Sequence, residues 1–103
     1  MTMHISYGMY NISDIHKHEI KELIDKNLSS KMDSYLLPYR QRNALISLVV
    51  RIEKNKRNKY DGVIKMLLDG KIFLYRTHGD GFRIVADIVN HAFDRFKEQL
   101  SHK

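Results

Sequence analysis

Four residues, Leu68-Asp69-Gly70-Lys71, constrain this chain more than any others. Asp-Gly between two apolar segments reads as a two-residue type I′ turn, in which both central residues take positive φ. It predicts a hairpin with residues 60–68 as one arm and 71–77 as the other. On the second arm Phe73 and Tyr75 share one face, and Ile72 and Leu74 the other, because side chains alternate along a strand. Upstream, residues 44–53 are almost all apolar. Ile46, Leu48, Val50 and Ile52 form one face, and Leu45, Ser47, Val49 and Arg51 the other. That pattern fits a central strand. Near the N-terminus Ile5, Tyr7 and Met9 alternate with Ser6 and Gly8, a short first strand with one buried face.

Two stretches follow the helical period instead. Ile20, Leu23, Ile24, Leu28, Met32 and Tyr35 recur at spacings of three and four. They predict one amphipathic helix of roughly six turns, capped by Ser13 or Asp14. Leu37-Pro38 is expected to end it, because the residue before a proline is pushed out of the helical region. Phe82, Val85, Val89, Ala92, Phe93, Phe96 and Leu100 predict a second helix, with Asp80 as its cap after Gly79. The element order β-α-β-β-β-α implies an α+β fold. It is a two-layer sandwich with a four-stranded sheet and both helices on one sheet face. The first two strands should run parallel through a right-handed crossover.

The 103 residues suit one domain, 1–103, with 43% of them apolar. No cysteine is present, so disulfides, thiol nucleophiles and thiolate metal sites are excluded. No apolar run approaches the ~18 residues of a membrane span. The N-terminal residues show no secretory pattern, so the cytoplasm is the expected location.

Charge is the main functional signal. The 18 Lys and Arg against 12 Asp and Glu leave a net +6. Residues 40–59 hold Arg40, Arg42, Arg51, Lys54, Lys56, Arg57 and Lys59, with Glu53 as the only acid, so the whole excess sits there. The tip Lys54-Asn55-Lys56-Arg57-Asn58-Lys59 is expected to project beyond the sheet, within reach of a polyanion. A solvated loop is the competing reading of such a run. Asn55 and Asn58 read better as turn residues than as base contacts. Tyr7, Tyr60, Phe73 and Tyr75 read better as core than as stacking platforms. Tyr39, beside Pro38, is the aromatic expected to be exposed.

Catalytic patterns do not appear. His16 and His18 lie about 200° apart on a helix and cannot share a metal, and His4, His78, His91 and His102 are scattered. Gly79-Asp80-Gly81 lacks the Lys-Ser/Thr pair of a phosphate loop. Asp80 and Asp87 are two helical turns apart, about 11 Å, too far for a carboxylate dyad. No enzyme, no cofactor and no metal is expected.

Several short segments, in order, resemble the ribosome hibernation-promoting factors. That family includes the ribosome-associated inhibitor proteins, once called sigma-fifty-four modulation proteins. The likeness spans nearly the whole chain. Val50-Arg51-Ile52-Glu53-Lys54 is similar to the family's strand end, an apolar-Glu-Lys step before a basic hairpin. Asp25-Lys26-Asn27-Leu28 matches its first helix, and Asp80 with Ala86-Asp87 matches the opening of its second. The resemblance implies a fold similar to double-stranded RNA-binding domains. It implies binding to the small ribosomal subunit, in the channel where mRNA and tRNAs lie, with basic residues on rRNA phosphates. It implies inhibition of translation in stationary phase or stress.

By position, Lys21 and Lys26 on the first helix, Lys54 at the strand end and Arg95 on the second helix match basic family sites. Lys56, Arg57 and Lys59 fall in the basic hairpin. With Arg51 they form the candidate rRNA-binding set. Ala92 stands where the family has Lys, and Arg83 where it has an aromatic. The short form is implied, lacking the long members' dimerisation domain and the inhibitor form's acidic tail. Such a form acts with a small separate ribosome modulation factor to form inactive ribosome dimers. The alternative is a protein-interaction module, in which residues 71–77 form a sheet edge that pairs with a partner or with a second copy.

Overall fold

The structure is a computed structural model that describes residues 3–101. It is α+β, with β1 (Met3–Tyr10), α1 (Asp14–Ser29), α2 (Asp33–Gln41), β2 (Ile46–Lys54), β3 (Tyr60–Leu68), β4 (Lys71–Arg76) and α3 (Val85–Ser101). The four strands form one sheet in the order β1-β2-β3-β4. β1 runs parallel to β2, and the other two pairings are antiparallel.

The two-face pattern of the sequence is the organising feature of this sheet. Ile46, Leu48, Val50 and Ile52 of β2 are all buried, as are Ile64, Met66 and Leu68 of β3. Met3, Ile5, Tyr7 and Met9 register beside the β2 set on the same face and pack against the core. Helices cover this face: Ile20, Ile24, Leu28, Met32 and Leu36 join Ile88, Val89, Ala92, Phe93 and Phe96 in one cluster. Phe93 and Phe96 meet edge to face, ring centroids 5.7 Å apart. Among the described residues no helix covers the opposite sheet face. Asp69 and Gly70 have φ of 51° and 82°, the two positive values that a type I′ turn requires.

The single six-turn helix is corrected to two. The hydroxyls of Ser29 and Ser30 bond back to the Lys26 carbonyl, at 3.3 and 2.6 Å, and the Met32 amide donates to the Asn27 carbonyl at 2.9 Å. Serines that satisfy their hydroxyls on the preceding turn offer the backbone an exit from the helix. The apolar stripe survives the break, since Met32 and Leu36 are both fully buried. Pro38 does not end the helix either: it lies inside α2. The stop falls at Asn43, whose φ is 55°. There the Asn43 amide donates to the Arg40 carbonyl (3.1 Å) and the Ala44 amide to the Tyr39 carbonyl (2.9 Å). This pair of bonds is a Schellman closure, with Asn in the left-handed position.

The start of the last helix is also corrected. α3 begins at Val85, so Asp80 does not cap it and Phe82 is outside it. Phe82 forms a bridge with Tyr60 instead, through backbone bonds of 2.7 and 2.8 Å. This ties the 79–84 segment to the loop end of the β2–β3 hairpin. At the other helix start the expectation holds: Ser13 caps α1, accepting from the His16 amide at 3.4 Å.

Candidate nucleic-acid interface

The β2–β3 hairpin projects the basic tip. Lys54 pairs with Tyr60 as the last rung of the ladder, and residues 55–59 close the loop. Asn55 builds that loop. Its side-chain oxygen accepts from the amides of Arg57 (2.9 Å) and Lys59 (3.1 Å). Its side-chain nitrogen donates to Asp61 (2.9 Å) and to the Asp80 carbonyl (3.0 Å). Asn58 sits at φ 61°. Both asparagines therefore serve turn chemistry, and the Asn55 side chain is committed to the protein.

Carboxylates outside residues 40–59 neutralise part of the basic run. Arg57 pairs with Asp80, and Lys59 lies 3.7 Å from the same carboxylate. Arg42 bonds Asp69 and Arg40 bonds Asp33, each at 2.6 Å. Of the seven cations in residues 40–59, Arg51, Lys54 and Lys56 keep no carboxylate partner among the described residues. The pairs at Arg42 and Arg57 are solvent-exposed, so each contributes about 1 kcal/mol or less and exchanges readily. The Arg57 and Arg42 heads can leave their carboxylates for a phosphate at small cost.

The expected cations do not share one plane. Lys21 and Lys26 are exposed on α1, in the helix layer, and Arg95 is exposed on α3. Lys21 stands over the Tyr7 ring, 5.3 Å from its centroid, and Lys54 stands 5.8 Å from that of Tyr60. Lys56, Arg57 and Lys59 are in the hairpin loop. Arg51 points the other way, to the open sheet face, because it alternates with buried Val50 and Ile52. A single flat polyanion cannot meet Arg51 and Lys21 together. The structure thus gathers the hairpin residues Lys54, Lys56, Arg57 and Lys59 and separates Arg51 from the helix lysines.

Two cations beside Arg51 were not singled out from sequence. Arg51 registers with Val63, and Val63 with Arg76, so the two guanidinium groups flank Val63 across three strands. Lys65 lies one rung further on the same face. The turn at Asp69-Gly70 already sets the β3–β4 register, so the closeness of Lys65 and Arg76 was legible. The β2–β3 register was not, because a five-residue loop leaves it open.

The aromatics follow the core reading. Tyr60 is 5% exposed, and Tyr7, Phe73 and Tyr75 pack against the core. Tyr39 is half-buried rather than exposed. Arg42 covers its ring, 4.6 Å from the centroid. The exposed aromatic is Tyr10, at the open-face end of β1. Burial raises the Tyr7 hydroxyl above its ordinary value, and Asp25 adds to the shift. Tyr75 is raised by burial alone.

No family model and no curated protein matches this chain. The site is therefore read from its own chemistry. Among the described residues no cluster of three His, Asp or Glu side chains could hold a metal ion. Among them no helix is long and apolar enough to cross a membrane.

Proposed function

We propose that this protein is a non-enzymatic translation regulator. It binds rRNA of the small ribosomal subunit in the mRNA and tRNA channel and keeps ribosomes idle in stationary phase or stress, in the cytoplasm. Stabilising inactive ribosome dimers, together with a small modulation factor, belongs to the same proposal. The observation that supports it best is the β2–β3 tip. Lys54 and Lys56 stand there without carboxylate partners among the described residues, beside Arg57 and Lys59, whose shared carboxylate is weakly held. A loop held by the Asn55 hydrogen bonds that exposes Lys56 and Arg57 suits a phosphate backbone. Lys21, Lys26 and Arg95, on the helix layer, extend that contact. The resemblance to hibernation factors supplies the choice of the ribosome among polyanions.

The test is co-sedimentation with purified small subunits at several salt concentrations. The double variant Lys54→Glu, Lys56→Glu should keep its fold and lose association by tenfold or more. Wild-type binding should fall by orders of magnitude between about 50 and about 200 mM salt, through counterion release. Binding that ignores both salt and the double variant overturns the proposal.

A further inference from the structure

We propose that β4 is a self-association edge, on which a second copy of this chain adds its own β4 antiparallel to give one continuous eight-stranded sheet. The inference does not rest on the ribosome reading. β4 ends the sheet among the described residues, and its backbone is offered outward in a defined pattern. The Thr77 amide donates to the Gly62 carbonyl at 3.1 Å, so Thr77 faces β3. Alternation along an antiparallel ladder then turns Lys71, Phe73 and Tyr75 toward β3, and Ile72, Leu74 and Arg76 outward. These three residues hold amides and carbonyls that need partners.

The side chains along this edge do not guard it. Ile72 is 65% and Leu74 48% exposed on the open face, and Phe73 and Tyr75 are half-covered on the other. Four consecutive apolar residues lie between Lys71 and Arg76. Natural edges are usually blunted by an inward charge, a proline or a bulge, and β4 has none of these among residues 72–75.

The occupant follows from self-complementarity. With the two-fold axis through Leu74, Leu74 meets its own copy and Ile72 meets Arg76 of the second chain. All three outward-facing residues are then bonded on both strands, and no two cations are directly opposed. Phe73 meets Tyr75 of the second chain on the helix side, a favourable cross-strand aromatic pair that occurs twice by symmetry. With the axis through Phe73 instead, Arg76 would have to bond Gly70, which is in the turn. The cleft between β4 and α3 agrees with this occupant. Its α3 wall carries His91 and Arg95 but also Asp94 and Glu98. A wall of mixed sign accepts a copy of itself, whereas a uniformly basic wall would repel one.

Light scattering after gel filtration, on the nuclease-treated full chain at about 100 μM and in high salt, reads the outcome. At about 1 M salt the Debye length is about 3 Å, so bridging by residual nucleic acid is screened out. The wild type should elute at twice the 12.2 kDa chain mass. Leu74→Lys places two cations together at the axis, and Leu74→Pro removes the central outward amide, which an edge strand tolerates. Both should halve the mass while the far-ultraviolet dichroism stays unchanged. A monomeric wild type overturns the proposal, and then the edge is left for an extended segment of another protein. A dimer that persists in both folded variants also overturns it.

Discussion

Arg57 and Asp80, 23 residues apart in the chain, pair side chain to side chain at the tip of the β2–β3 hairpin. Asp80 holds Lys59 as well, at 3.7 Å. One carboxylate therefore restrains two of the four cations of the tip. If phosphate is their natural partner, Asp80 is a competitor built into the protein. Asp80→Asn removes the competing charge but keeps the backbone carbonyl that Asn55 bonds. The variant should bind small subunits severalfold more tightly, with the log-log salt slope steeper by about one. Its stability should fall by no more than about 1 kcal/mol, since the pair is exposed. Equal binding in a salt titration would show that Arg57 and Lys59 do not reach the partner.

Gly81 decides whether the Asp80 segment reaches the hairpin at all. Its φ is 94°, and a Cβ there would fall 2.5 Å from the Tyr60 carbonyl oxygen. Gly81→Ala should therefore break the Tyr60–Phe82 bridge, at a cost of about 2 to 3 kcal/mol. Urea denaturation measures the loss. Hydrogen exchange should show faster exchange at Tyr60 and Phe82, with the β3–β4 turn unaffected.

Asn27 is the one buried polar side chain among the described residues, 5% exposed between α1 and α3. It donates to the Leu23 carbonyl at 2.7 Å and reaches the Asn90 side-chain oxygen at 3.4 Å. Asn27→Ala should destabilise by about 1 to 2 kcal/mol, because the Asn90 oxygen loses its partner. Adding Asn90→Ala should cost less than the sum of the single changes, and a denaturation cycle reads the coupling.

Alkali tests the helix-layer edge. Tyr7 holds its proton to higher pH than an ordinary tyrosine, through burial first and Asp25 second. A raised pKa in the folded state means that its contribution to stability is complete below about pH 10, where unfolded tyrosine ionises. That contribution is lost as pH climbs through the folded value. Tyr7→Phe keeps a ring beneath Lys21 and should flatten the fall in thermal stability between about pH 9.5 and 11. An unchanged slope would assign the fall to Tyr75, whose hydroxyl is also raised by burial.

Much of the fold was legible because it rests on local periodicity. Tyr60–Leu68 lies between its predicted limits, and Asp69-Gly70 takes the turn that its chemistry demands. The helix errors share a different cause. Pro38 and Asp80 are strong local signals, but burial of Met32 and Leu36 and the Tyr60–Phe82 bridge outweighed them.

By itself the sequence determined the alternation of apolar and polar residues, and hence which strand faces are buried, since periods of 2 and 3.6 are properties of the backbone. It also determined the size of the charge excess. Only the tertiary structure decided where that charge is free. Asp69 and Asp80 lie 27 and 23 residues from the arginines that they meet. No local spacing encodes those encounters. They exist because the sheet, the α2 turn and the 79–84 segment close upon one another, and Coulomb attraction depends on distance in space.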